Sequence, residues 1–200
     1  MKLIGKLLNT QVEFIQNKTW KESLDMIQNN QLDILPNIAI NEERAKIIDF
    51  SNFSLFNFQI SIAVNKNSDI KTLDDLKNKK VSVLENSFPE NILKKEYPQI
   101  ELYSTKTTKE AIDAVASNKV DAVIDNLSTI EYFIHKEWLS NLKTIVIKND
   151  KIQTIIPIHL GVKKDNLILK SILEKANQNI SEKEIIKLVD KWITNDFYED

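Results

Sequence analysis

Three polar side chains stand where a sheet would present them to a solute. Asn37 follows the run Asp33-Ile-Leu-Pro, and Asp125 and Asn126 follow Asp121-Ala-Val-Ile. Each group closes a short apolar run that reads as a strand. Open α/β sheets hold ligands at the carboxyl ends of their strands. Amides and a carboxylate there offer hydrogen bonds, and one negative charge, to a small polar molecule. The two stretches also echo each other. Leu24-Asp-Met-Ile-Gln-Asn-Asn-Gln-Leu-Asp33-Ile-Leu is similar to Ile112-Asp-Ala-Val-Ala-Ser-Asn-Lys-Val-Asp121-Ala-Val at a constant offset of 88 residues. In both, a helix stops at Asn, an Asp opens a strand, and the strand ends in polar residues. Two such copies describe two similar lobes facing one cleft. A common helix–strand turn used twice would give the same echo.

Other chemistries lack their residues. The chain has no cysteine, which removes disulfides, thiolate metal sites and cysteine nucleophiles. Its two glycines, Gly5 and Gly161, exclude the glycine-rich turns of dinucleotide and phosphate loops. His135 and His159 stand alone, and no His/Asp/Glu cluster has metal-ligand spacing. No serine sits in a nucleophile-elbow motif. No cofactor or metal is expected, and no enzyme activity. With 27 basic and 29 acidic side chains the net charge is −2, which argues against a nucleic-acid partner.

The elements that must position Asn37, Asp125 and Asn126 come from a chain of 200 residues, 42% hydrophobic and 28% charged, long enough for one domain or two small lobes. No apolar run reaches the length of a membrane span. Lys6 and Asn9 interrupt the apolar start too soon for a signal-peptide core, so no export signal or anchor is expected in this chain. The pattern alternates helix and strand. Residues 2–9 read as a short helix, and Val12, Phe14 and Ile15 as a strand. Thr19 to Glu22 and Ser87 to Glu90 read as capping boxes, Thr108 as a helix cap, and Ser181 to Glu184 as the cap of the last helix, burying Ile185, Val189, Trp192 and Ile193. Strands are expected over 32–40, 58–65, 81–84, 102–104, 120–124, 142–147 and 154–162, with helical segments over 42–48, 127–138 and 166–177. Trp20, Trp138 and Trp192 fall on apolar helix faces and are expected in the core. The polar tail from Thr194 is expected to fray.

Several stretches together resemble one family. Trp20-Lys-Glu-Ser-Leu, Asp33-Ile-Leu-Pro-Asn-Ile-Ala and Glu43-Arg-Ala-Lys-Ile-Ile-Asp-Phe-Ser51 resemble the first lobe of bacterial extracellular solute-binding proteins of family 3. Ile70-Lys-Thr-Leu-Asp-Asp-Leu-Lys-Asn-Lys-Lys-Val-Ser-Val fits the start of the second lobe. Asp121-Ala-Val-Ile-Asp-Asn-Leu-Ser-Thr-Ile-Glu-Tyr-Phe-Ile is most similar to the variant found in sensor modules of hybrid histidine kinases. His159-Leu-Gly-Val-Lys-Lys-Asp-Asn through Trp192-Ile193 resembles the return to the first lobe. The resemblance implies an α/β fold of the type II periplasmic-binding-protein, or Venus-flytrap, kind: two α/β lobes joined by two hinge strands. Lobe 1 would comprise residues 1–60 plus 155–200, and lobe 2 residues 61–154. Against the family pattern the chain starts inside the first helix, without the first strand of lobe 1. That would leave an unpaired strand position through which two copies could dimerise.

The resemblance also implies a function: extracytoplasmic binding of a small polar or anionic, amino-acid-like solute by lobe closure. The parent would be a membrane signalling protein, with the chain as its periplasmic sensor domain. The alternative is the substrate-binding component of an ABC amino-acid transporter, working with its permease. Cyclohexadienyl dehydratases are a remote enzymatic alternative, for which Glu85 is the nearest carboxylate. Arg44 matches the family arginine that clamps a ligand carboxylate; the plain reading is a surface arginine paired with Glu42 or Asp49. Ser87 matches a hydroxyl residue at a helix mouth, and the plain reading is an N-cap. Phe88 replaces a hydroxyl residue and suggests an apolar contact. Asn126 stands where transporters carry an Asp that grips the ammonium, and Asp125 could substitute only if the strand end twists. Asn37 and Ala39 lie at the lobe-1 strand end, where Ala39 offers only its backbone.

Overall fold

Local signals set most of the element boundaries. The structure, a computed structural model, describes residues 1–148 and 152–189. Its helices are α1 Lys2–Leu7, α2 Trp20–Gln28, α3 Glu42–Ala45, α4 Phe88–Glu96, α5 Thr108–Ala116, α6 Leu127–Lys136, α7 Leu167–Gln178 and α8 Glu182–Val189. Its strands are β1 Ile34–Ala39, β2 Ile48–Phe50, β3 Phe56–Asn65, β4 Lys80–Leu84, β5 Glu101–Thr105, β6 Ala122–Asn126, β7 Leu142–Val146 and β8 Ile155–Lys163. Complete capping boxes open α2 (Thr19 with Glu22) and α5 (Thr107 with Glu110). Ser181 and Glu184 exchange the same pair of bonds before α8. At α5 the cap is therefore Thr107, and Thr108 is the first helical residue. Ser87 caps α4, but the Glu90 carboxylate reaches past it to the Asn86 N–H at 2.7 Å.

Asparagine ends several of the helices. Asn9, Asn30 and Asn118 all adopt positive φ just beyond α1, α2 and α5. Asn tolerates this left-handed conformation better than most side chains, because its amide can bond locally. Asn30 and Asn118 are 88 residues apart, and the next N–H beyond each turns back to bond a carbonyl in the last turn at 2.9 Å (Gln31 to Met26, Lys119 to Ala114). The repeated sequence is a repeated helix–turn–strand unit.

The strands form one sheet in the order β1-β8-β3-β6-β4-β5, with β2 also on β8 and β7 also on β3. Pairs of β4 with β5 and β6 are parallel, and the remaining pairs antiparallel. β3 belongs to two lobes. Its first part, Phe56–Gln59, pairs with β8, and the remainder pairs with β6 and β7. The return passage meets it at the same point, where Ile60 N–H donates to Thr154 O at 2.8 Å. One apolar cluster joins Ile27 of α2 to Leu35, Ile38 and Ile48. Another packs α7 and Ile4 against Leu160 and Val162. In the other lobe α5 and α6 cover Ala63 and Val123.

Four expectations are corrected. Residues 12–15 are not a strand: the chain turns back on α1 (Thr10 N–H to Gly5 O, 2.9 Å), and Val12 packs against Gly5 where a Cβ would meet it at 2.7 Å. Ile48–Phe50, read as the end of a helical turn and a loop, is β2. Trp138 is 89% exposed at positive φ beyond α6, because that helix ends at Lys136. Ile185 on α8 is 38% exposed. Trp192, Ile193, the side chain of Val189 and the tail lie outside the described residues.

Gly161 shows how tightly β8 is gripped. A Cβ there would lie 2.9 Å from Ile48 Cγ2 and 3.0 Å from Ile38 Cγ2. Both are stiff β-branched side chains in the core. Gly161→Ala is expected to cost about 1–3 kcal/mol by overpacking. Thermal melts should show a fall of several degrees, and an unchanged melting temperature would mean that β1 and β2 can separate freely around β8.

Candidate functional site

The site lies where β1, β3, β4, β6 and β8 converge. A cavity of about 210 Å³ opens there, below the usual range for drug-sized ligands and suited to a smaller solute. Its floor is apolar. Phe58 and Ile60 alternate on β3 and Ile156 and Ile158 on β8, so period-two patterning brings all four to one face. Its walls come from strand ends and helix starts. Asn37, Ala39, Arg44, Ser87, Phe88, Asp125 and Asn126 all line it, while Glu85 does not.

The internal repeat organises these walls. Trp20 and Thr108 are the first residues of α2 and α5, each following its capping threonine. Asn37 and Asp125 lie at the ends of β1 and β6. Both pairs are 88 residues apart, and all four residues line the cavity. The β1–β8 register shifts between Leu35 and Ile38, across the stretch that carries Pro36 and Asn37. Trp20, expected in the core, is thus a cavity wall. Its helical spacing marks an apolar face without saying whether that face meets core or cleft. Thr108 and Thr129 were missed as well. The repeat offset points to Thr108; nothing in the sequence singles out Thr129.

Arg44 is 5% exposed, and no carboxylate of the described residues pairs with it. Asp49, one of the two partners in the plain surface reading, binds Lys164 at 2.7 Å instead. Arg44 Nη1 donates to Ala39 O at 2.9 Å and Nη2 to Asn86 O at 2.8 Å. The guanidinium also lies over the Trp20 ring at 5.3 Å. The backbone of Ala39 thereby serves the arginine. Two of five N–H donors are used, which leaves three for a solute. Burial lowers the Arg44 pKa to about 10, so it stays charged at neutral pH.

Asp125 also lines the cavity. Its Oδ2 accepts from Thr108 Oγ1 at 2.9 Å and its Oδ1 from the Asn126 N–H at 2.7 Å. No cation of the described residues pairs with it, and burial pushes its pKa up against those two hydrogen bonds. Asn126 precedes α6 without a side-chain capping bond, and its Nδ2 donates to Thr129 Oγ1 at 3.1 Å. Adjacent strand residues ordinarily face opposite sides. Asn126 shares the face of its ladder partner Ile60, whereas Asp125 lies opposite Ser61 on the helix-covered face and borders the cavity beside Thr108. Ser87 Oγ accepts the Glu90 N–H at 3.2 Å, which leaves its own proton free to donate. Among the described residues no cluster of side chains could hold a metal ion.

This arrangement of two lobes around a small charged cavity matches known proteins. The chain belongs to the bacterial extracellular solute-binding proteins, family 3, which it matches over residues 1–195. It is 23% identical over 184 residues to the virulence sensor protein BvgS of Bordetella pertussis, covering 92% of this chain and 15% of BvgS. It is 24% identical over 192 residues to the amino-acid-binding protein AabA of Dichelobacter nodosus, covering 94% of this chain and 74% of AabA. An ancestral arginine-binding protein, solved with arginine, superposes with a TM-score of 0.85 at 27% identity, over 96% of this chain and 84% of its own. The fold is thus of the type II periplasmic-binding-protein kind, and these relatives are binding or sensor proteins. Among the described residues no helix is long and apolar enough to cross a membrane.

The Asp125 environment makes stability depend on pH. Folding raises its pKa, so between the unfolded and folded values the native chain holds more protons. Stability is then highest at low pH within that window and falls as pH rises through the folded value. Asp125→Asn removes the charge and keeps an acceptor for the Asn126 N–H. D125N is expected to melt above the parent at pH 7, with the gap closing toward about pH 4. A gap of equal size at both values would assign the effect to hydrogen bonding alone.

Proposed function

We propose that this chain binds a small amino-acid-like solute through its carboxylate, by closure of two lobes, as the sensor domain of a membrane signalling protein. The observation that carries this reading is Arg44: a buried, protonated guanidinium lining a small cavity, with two of its five donors spent on carbonyls and no carboxylate partner among the described residues. A planar carboxylate satisfies such a fork better than any other common group. Asp125 and Asn126 stand ready for an ammonium or amide on the same molecule, and Ser87 can donate a further bond. Phe88, Pro89 and the isoleucines of the floor favour a partly apolar body. Lobe 1 would comprise residues 1–60 plus 155–200, and lobe 2 residues 61–154, with the division after Ile60 on β3. The sensor role is supported by BvgS, in which a stretch of this size is a small part of a much longer sensor protein. AabA, most of whose length this chain matches, supports a second reading as a free binding protein serving an importer.

A thermal-shift screen against arginine, glutamine, dicarboxylates and short peptides at millimolar concentration tests the proposal. A ligand at a hundred times its Kd adds about 2.7 kcal/mol, a rise of roughly 5–10 °C for a chain of this size. Arg44→Ala is expected to abolish the shift while circular dichroism stays native. Arg44→Lys, which keeps the charge but not the fork, should weaken binding by at least tenfold. Undiminished affinity of both variants in calorimetry would rule out the clamp.

A further inference from the structure

The Asn86 peptide is where the two sides of the cavity meet. Asn86 follows β4 at φ 58°, in the left-handed region that asparagine tolerates. Its carbonyl accepts Trp20 Nε1–H at 3.0 Å and Arg44 Nη2–H at 2.8 Å. Trp20 and Arg44 sit on α2 and α3, in the lobe built on β1 and β2. Asn86 belongs to the β4–α4 turn of the other lobe, 66 and 42 residues away in sequence. Both lone pairs of one carbonyl are therefore spent across the cleft. The N–H of the same residue is fixed from behind by the Glu90 carboxylate at 2.7 Å. Glu90 is 3% exposed and is itself held by Ser104 Oγ and by Lys94 Nζ at 3.0 Å. Burial raises its pKa, but the bonds from Ser104, Lys94 and Asn86 outweigh this and hold it below its ordinary value.

We propose that this arrangement is a latch. Trp20 and Arg44 grip the Asn86 carbonyl and favour the closed form through protein–protein hydrogen bonds, with Glu90 as the positioning residue that aims the carbonyl. The inference rests on the reading that the two lobes move about the cavity. Its consequence is that the resting balance between open and closed forms is set partly by the chain itself. The bond from the guanidinium is charge-assisted and stronger than a neutral one. The stacked tryptophan shares its acceptor, so the two donors engage or release together. A solute held by the remaining Arg44 donors adds to the latch rather than creating closure from nothing. It can shift the equilibrium only by its differential affinity for the two forms.

The chain has no cysteine, so Lys46→Cys with Lys95→Cys accepts one spin label on each lobe without background. Both positions are solvent-exposed, with side chains 65% and 77% accessible. Pulsed EPR in solute-free buffer then reads the inter-lobe distance. The labelled parent is expected to show a dominant short distance. Trp20→Phe keeps the ring under Arg44 but removes the donor, and should lower the closed-to-open ratio by about threefold to tenfold, as for one net hydrogen bond. Glu90→Gln should shift it the same way by less. Asn86→Gly keeps the carbonyl and suits the positive φ, so its distribution should match the parent. An unchanged distribution in W20F, or a parent that is mainly open, overturns the latch. Failure of the solute-binding reading looks different: arginine and glutamine at millimolar concentration would move neither the distances nor the melting temperature, while the W20F shift would persist.

Discussion

The hydrogen-bond ladder along β3 constrains everything else. One ten-residue strand is a member of both lobes, paired with β8 at its start and with β6 and β7 from Ile60 onward. Its side-chain alternation must serve two cores at once. Phe58 and Ile60 take the cavity face, while Ser61 and Ala63 take the face covered by α5 and α6. A slip of one residue would reverse both assignments. The same register sets Ile60 opposite Asn126 and Phe58 opposite Ile156, so the polar end of β6 and the apolar start of β8 meet at the cleft. Ser61, whose buried hydroxyl has no hydrogen-bond partner, lies directly opposite Asp125 in this ladder.

Around the cavity the chain places an arginine and an aspartate that do not pair with each other. Arg44 is satisfied by carbonyls and an aromatic face, Asp125 by a hydroxyl and an N–H. Each is desolvated and each keeps hydrogen-bonding capacity unspent. A direct ion pair between them would close the site. Separate neutral partners instead satisfy each group on its own side of the cavity. The helix starts contribute further: α2, α4, α5 and α6 all begin at the cavity, through Trp20, Ser87, Thr108 and Asn126.

Much of this was legible in the sequence, for identifiable reasons. Capping boxes are local, so α2 and α5 could be read to within a residue, and the 88-residue echo reflects a repeated unit whose turns share the same asparagine geometry. The strand-end residues Asn37, Asp125 and Asn126 follow from that unit and from where sheets hold ligands. Arg44 could be singled out only by resemblance, because one arginine among many surface charges carries no periodic signal. Trp20 was misassigned because a helix face reads as apolar whether it meets a core or a cleft. The bonds from Trp20 and Arg44 to Asn86 join residues 66 and 42 positions apart and end on a backbone carbonyl, which no side-chain pattern records. Residues 12–15 alternate like a strand, but Gly5 allows Val12 to fold back on α1 instead.

The asparagines of left-handed backbone have a consequence for the denatured chain. Among the described residues Asn9, Asn17, Asn30, Asn78, Asn86 and Asn118 hold left-handed conformations, and no glycine does. Glycine would reach these conformations with less strain, but it would also give the unfolded polypeptide far more freedom to lose on folding. With only two glycines in 200 residues, the unfolded ensemble is comparatively stiff. Each asparagine accepts a little local strain in the native turn and narrows the range of disordered conformations that competes with it. Part of what holds this fold together therefore lies outside its contacts, in the reduced entropy of the chain before it folds.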